Sequence, residues 1–187
     1  MRKLILVKHA KPVVDERVAS HEWRLSEEGR YACQPLAEAL AEFDPAAVVT
    51  SVEPKAVETG ELVAAALGKP LAQAQDLHEH DRSNVPMMPS RDFISSMALF
   101  FRDRRRLVLG RETAQQVAER FSQAIASVLE SHGSGNVVVV THGTALALFA
   151  ADHGAGDAFQ LFRRLGLPSY ASFSCPDFKV LQIVERV

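Results

Sequence analysis

Three short runs of apolar, largely β-branched residues stand out along the chain: Leu4–Val7, Ala46–Thr50 and Val137–Thr141. Each is followed by a segment of helical character. Hydrophobicity within these runs is continuous rather than alternating, the pattern of strands covered on both faces. The repeated strand-then-helix order therefore predicts an α/β fold, a three-layer α/β/α sandwich around a mostly parallel central sheet. Two later runs, Ser169–Cys175 and Lys179–Val184, are separated by Pro176-Asp177-Phe178 and predict a hairpin closing a sheet edge.

Polar positions mark the helix ends. Ser26 can cap a helix whose first turn carries Glu27 and Glu28, carboxylates suited to the positive end of the dipole; it closes near Phe43-Asp44-Pro45. Pro35 inside it lacks a backbone donor and predicts a kink. A second helix runs from Pro54, at its first position, to Leu67, with Gly68 past its end. A third opens with the capping box Thr113-x-x-Gln116, and its apolar face is Val117, Phe121, Ala124, Ile125, Val128 and Leu129, up to Gly133. Between Ser83 and Gly110 lies a proline- and methionine-bearing stretch followed by Phe93, Met97, Phe100 and Phe101. It predicts an irregular, lid-like insertion around residues 83–110 of a single domain spanning 1–187.

Composition narrows the function classes. With 21 basic and 23 acidic residues and a net charge of −2, the chain has no overall charge with which to coat nucleic acid or an anionic membrane, so an anion site must be local. The apolar run after Met1-Arg2-Lys3 ends at Lys8, too soon for a signal peptide or membrane span. Cys33 and Cys175 fall in a helix and a strand, a poor basis for a disulfide framework, and a cytoplasmic location follows as the simpler expectation. Nothing in the sequence bears on oligomeric state.

In open parallel sheets, ligands bind beyond the carboxyl ends of the strands. The first strand ends in Lys8-His9-Ala10, the second in Thr50-Ser51 with Lys55 a helical turn later, and the third in Thr141-His142-Gly143. Gathered by the sheet, Lys8, His9, Lys55 and His142 would form a cationic pocket, and the helix starting after Gly143 adds outward-pointing N–H groups, a setting for phosphate. Singly, each residue has an ordinary explanation: a hydrogen-bonded histidine, a solvated lysine, a helix-capping Ser51. The constellation carries the reading.

The motifs Leu-Val-Lys8-His9-Ala10, Ser51-x-x-x-Lys55-Ala56-x-x-Thr59, Leu77-x-Glu79 and Val-Thr-His142-Gly143, in this order and with Leu25-Ser26-Glu27-x-Gly29 between the first two, resemble the histidine phosphatase superfamily, the phosphoglycerate mutase-like proteins. The resemblance implies a phosphatase that needs no metal or other cofactor and acts on a small phosphorylated substrate; mutase activity is the weaker alternative. It implies that His9 is the nucleophile that becomes phosphohistidine and that Glu79 is the proton carrier. His142, Lys8 and Lys55 would then hold the phosphoryl oxygens.

The chain departs from the family pattern where Lys8 and Lys55 replace arginines. Lysine is a point charge where arginine offers a bidentate fork. A loss of about one charge-assisted hydrogen bond, roughly 1.5–3 kcal/mol, predicts about 10- to 100-fold slower turnover per site. A weak or inactive member that binds a phosphorylated ligand or protein partner is the other reading. Ala10 replaces the usual Gly, as in some relatives, and Lys11-Pro12 stands where Glu-Thr is common. Asp15 stands where Asn often contacts phosphate and would repel it unless a cation such as Lys11 neutralises it. Asp15, Ser51 and Arg24, the last beside Trp23, are the remaining candidates for lining the pocket.

Three other features are set aside. His78-x-His80-Asp81 has ligand types, but no further well-spaced group completes a metal site. Gly133-Ser134-Gly135-Asn136 precedes a strand and lacks the Lys of a nucleotide loop, so it reads as a turn. Arg102, Arg104, Arg105 and Arg106 read as a solvated helix end, with recruitment of an acidic substrate as the functional alternative.

Overall fold

The side chains of Leu4, Ile5, Leu6 and Val7 are all completely buried, because helices cover both faces of the strand that carries them. The computed structural model describes all 187 residues. In chain order its elements are β1 (Lys3–Lys8), α1 (Glu27–Ala41), β2 (Ala47–Thr50), α2 (Pro54–Leu67), β3 (Leu71–Gln73), α3 (Ser90–Arg102), α4 (Ala114–Ser131), β4 (Val137–Thr141), α5 (Gly143–Asp152), α6 (Ala158–Arg164), β5 (Ser169–Ser174) and β6 (Val180–Val184). A single 3₁₀ turn, Ser20–Glu22, lies between β1 and α1.

One six-stranded sheet has the order β3-β2-β4-β1-β5-β6. The first four strands are parallel, β5 runs antiparallel to β1, and β6 antiparallel to β5. Alternate residues of each strand face opposite layers. Ile5, Val7, Val48, Val138 and Val140 pack on Leu36 and Leu40 of α1 and Val63 of α2. Leu4, Leu6, Val49, Val137 and Val139 share the other core with Phe121 and Ile125 of α4, and with residues of α3, α5 and α6. This is the expected three-layer α/β/α sandwich with a mostly parallel sheet.

Several local expectations hold in detail. Ser26 accepts from the Gly29 N–H at the start of α1, and the Thr113/Gln116 capping box is complete. A Cβ added at Gly29 would lie 2.1 Å from the Lys11 carbonyl oxygen, so glycine is what lets α1 seat against the loop leaving β1. α2 ends on Gly68 in the left-handed conformation. Both cysteines are free.

α1 continues past Pro35 to Ala41, as the expected end near Phe43 requires, with the proline on its exposed face, where water can take up the carbonyl left unpaired. Other expectations need correction. The stretch read as irregular contains α3, whose Met97 and Phe100 are fully buried, so Met97, Phe100 and Phe101 form the inner face of an amphipathic helix. The closing hairpin is present, but β5 lies inside the sheet with all its residues buried, and of its two strands only β6 is at an edge. The strand β3 and the short helix α6 escape the sequence pattern. β3 is a half-exposed edge strand held by its ladder to β2, and α6 is capped by Asp157 accepting from Gln160 N–H.

Candidate active site

Register decides which residues meet. Lys8 of β1 pairs with Thr141 of β4, so His9 and His142 leave the sheet side by side, one residue beyond the last pair. The His9 N–H still donates to the Thr141 carbonyl at 3.0 Å, and the two imidazole centroids are 5.2 Å apart, close to the spacing of neighbouring strands. On the other side of β4, Thr50 of β2 pairs with Val140, and the Ser51 N–H donates to the Val140 carbonyl at 2.9 Å. Ser51 thereby stands next to His142, with Oγ 2.9 Å from Nε2.

The His9 ring is held by the backbone of its neighbour in the chain. Its Nδ1 is 2.8 Å from the Ala10 carbonyl oxygen. A carbonyl can only accept, so Nδ1 carries the proton and Nε2 keeps its lone pair. The Ala10 N–H donates to Thr59 Oγ1 at 3.1 Å, and that hydroxyl donates to the Lys55 carbonyl at 2.7 Å, tying the histidine loop to α2. Burial, then the charges of His142 and Lys55, hold His9 well below its ordinary pKa against the raising effect of the Ala10 carbonyl. The ring is therefore neutral at pH 7, with the lone pair of Nε2 free. Burial and Lys55 likewise depress His142, whose Nδ1 is buried without a partner.

The two lysines are both at the site, and both are partly committed to the protein. Lys55, at the second position of α2, is 4% exposed; its amine donates to the Ser20 carbonyl at 2.8 Å and pairs with Glu53. Lys8 donates to the Leu165 carbonyl at 2.7 Å, and its amine lies 3.4 Å from where a Cβ on Gly143 would be, so glycine leaves room for it at the start of α5. Burial pushes the Lys8 ammonium down to about 8, with Glu79 opposing.

Glu79 faces the same helix end. Its Oε2 accepts from the Thr144 N–H at 3.2 Å and its Oε1 from the His80 N–H at 2.8 Å. Burial alone would raise its pKa, but Arg82, His142 and those two N–H groups outweigh it, so the carboxyl sits below its ordinary range in the free protein. Sequence reasoning passed over Arg82. Its guanidinium lies 5.3 Å from the ring centroid of Phe93, which ties α3 to the charge balance at Glu79.

Glu53 was also missed. It occupies the N-cap position of α2 without capping it. Its carboxylate turns inward to Lys55, accepts from the Glu79 N–H at 2.8 Å, and lies 3.6 Å from His142 Nε2.

The outer candidates are engaged elsewhere. Asp15 accepts two bonds from the Arg17 guanidinium, at 2.8 and 2.7 Å, which holds its carboxyl below the usual range. The neutralising cation is thus Arg17, while Lys11 pairs with Glu28. Arg24 lies 3.6 Å from Glu58, and the Trp23 indole donates to the Asp15 carbonyl at 3.0 Å. His80 stacks on Phe100 with 4.2 Å between centroids, and no group of three or more His, Cys, Asp or Glu gathers to hold a metal ion. Arg104 makes a bidentate pair with Asp152 at the surface, so part of the basic run is already paired within the chain.

Solved structures of similar fold share this architecture. A mycobacterial glucosyl-3-phosphoglycerate phosphatase superposes with a TM-score of 0.80 at 18% identity, covering 100% of this chain and 99% of that one. A putative alpha-ribazole-5'-P phosphatase from Escherichia coli K-12 gives 0.75 at 21% identity, over 98% and 96%. A phosphoserine phosphatase variant from Entamoeba histolytica, in complex with phosphoserine, gives 0.79 at 12%, over 98% and 97%. No curated protein sequence matches significantly. No helix is long and apolar enough to cross a membrane. Residues 4–180 match the family model of the histidine phosphatase superfamily, branch 1, and the chain belongs to that family.

Proposed function

We propose that the protein hydrolyses a small phosphorylated substrate by way of a phosphohistidine on His9. The observation that carries this is the neutral His9 ring, tautomer set by the Ala10 carbonyl, beside His142 with its unpartnered buried Nδ1 and within the field of Lys55 and Lys8. In the first step His9 Nε2 attacks phosphorus in line, the bond from phosphorus to the leaving oxygen breaks, and protonated Glu79 gives that oxygen its proton. In the second, water attacks the phosphohistidine, Glu79 takes the water's proton, the P–N bond breaks, and inorganic phosphate leaves with His9 restored. Lys8, Lys55 and His142 Nδ1, with the N–H groups opening α5, offset the charge on the transferring group, so no metal ion is called for.

Glu79 must be protonated to act first, and it is ionised in the free protein. A phosphate dianion placed beside it would raise its pKa, and a phosphate monoanion, whose second pKa is about 6, can deliver the proton itself. Substrate entry therefore arms the acid.

Structural relatives described as phosphatases of glucosyl-3-phosphoglycerate, phosphoserine and alpha-ribazole-5'-phosphate support a small phosphorylated substrate. A second reading, a slow or inactive phosphate-binding protein, draws on the commitment of both lysine amines to backbone carbonyls, Lys8 to Leu165 and Lys55 to Ser20. Incubation with an aryl phosphate and with acetyl phosphate separates the two. The hydrolase reading expects turnover that His9→Ala abolishes; binding of inorganic phosphate without turnover supports the second.

A further inference from the structure

Glu53 is the only Asp or Glu among the buried residues, and it sits inside a pocket that has to attract an anion. Such a placement costs phosphate affinity, because an acid beside Lys55 cancels much of the charge the lysine offers. The geometry shows what the acid supplies instead. An ammonium group has three N–H donors on a flexible stem, with no fork to orient them. Here the Glu53 carboxylate takes one and the Ser20 carbonyl, at 2.8 Å, takes another. The third is the one left for a phosphoryl oxygen.

The other oxygen of Glu53 holds the backbone at Glu79. Oε1 accepts the Glu79 N–H at 2.8 Å and lies 3.6 Å from His142 Nε2. One buried side chain thus touches Lys55, the residue read as acid/base, and His142. Around it, Ser51 comes from the end of β2, His142 from the end of β4, Lys55 from α2, and Glu79 and Arg82 from the segment after β3.

We infer that Glu53 is a positioning residue that makes Lys55 serve as an oriented phosphate ligand, at the expense of ground-state affinity. The inference rests on the phosphatase reading and adds to it a residue and a division of labour. It predicts opposite effects on binding and turnover, which mere structural damage would not produce.

The test replaces Glu53 with glutamine, which keeps the shape and the acceptor for the Glu79 N–H but removes the charge. Inorganic phosphate titrated calorimetrically should bind Glu53→Gln about tenfold more tightly than the parent, as expected for one buried opposing charge removed. With an aryl phosphate, kcat should fall about tenfold while KM also falls. Adding Lys55→Arg to Glu53→Gln should restore kcat, because the planar fork orients itself, while keeping the tight phosphate binding. Should Glu53→Gln fold poorly, Glu53→Asp keeps the charge beside Lys55 but shortens the reach to its amine and to the Glu79 N–H, and should lower kcat without tightening phosphate binding. Weaker phosphate binding in folded Glu53→Gln, or no recovery of kcat in the double variant, overturns the inference. Absence of turnover in the parent would sink the phosphatase reading alone, since the calorimetric comparison stands without it.

Discussion

His142 and Ser51, 91 residues apart in the chain, are joined by a hydrogen bond of 2.9 Å between Nε2 and Oγ. Both atoms are buried, and the opposite ring nitrogen of His142 has no partner. When the serine hydroxyl donates to Nε2, the proton resides on Nδ1, the arrangement that the proposed role of Nδ1 as a donor to a phosphoryl oxygen requires. The hydroxyl holds the ring in place and, donating to Nε2, favours that tautomer.

Ser51→Ala removes that control. It should lower kcat/KM about tenfold, the worth of one hydrogen bond to a charged group, and leave cooperative unfolding intact. Steady-state kinetics beside a thermal melt will check it. An unchanged kcat/KM would mean that His142 is oriented by its packing alone.

Lys8 sets an alkaline limit. Its ammonium, pushed down from 10.5 to about 8 by burial, is charged below pH 8 and neutral above it, so free-enzyme affinity for a phosphoryl group falls as pH rises through that value. A profile of kcat/KM against pH should bend downward near 8. Lys8→Arg should carry the plateau beyond about pH 9 and raise its level, because arginine keeps its charge and offers two parallel donors. Arginine at position 55 alone gains less while Glu53 remains there to take up its donors.

The same side chains show how far the sequence speaks. His9 and His142 were legible because apolar runs end just before them, and parallel strands deliver such ends to one edge of the sheet. Lys55 and Ser51 were legible from the helix start at Pro54. Glu53 was not legible as a site residue, because an acid before a helix-opening proline ordinarily faces solvent or the helix N–H groups, and its inward partners, Lys55 and the Glu79 N–H, meet it only in the fold. Arg82 depends on α3, whose apolar face was hidden among flanking prolines and methionines. β3 carries no apolar run, since its position at the edge relieves it of the need for one.

His80 links that hidden helix to acid stability. Its ring stacks on Phe100, Nε2 lies 3.1 Å from the Leu109 carbonyl, and burial, followed by Arg82, depresses its pKa from 6.5 to about 4. The unfolded chain therefore binds the proton more readily between those values, and stability declines as pH falls from 6.5 toward 4. The contribution is at most about 3 kcal/mol. Urea unfolding of the parent and of His80→Phe across this range should show a shallower pH dependence in the variant. Parallel curves would assign acid sensitivity to other groups.

The proposed covalent step through His9 is best tested by rapid acid-free quenching of the protein with a radiolabelled acyl phosphate. A phosphoryl group that survives alkali, is lost in acid, and maps to His9 is the expected result, with His9→Ala remaining unlabelled. Turnover without label on any histidine at the shortest times, together with residual activity in His9→Ala, would contradict phosphohistidine chemistry at this site.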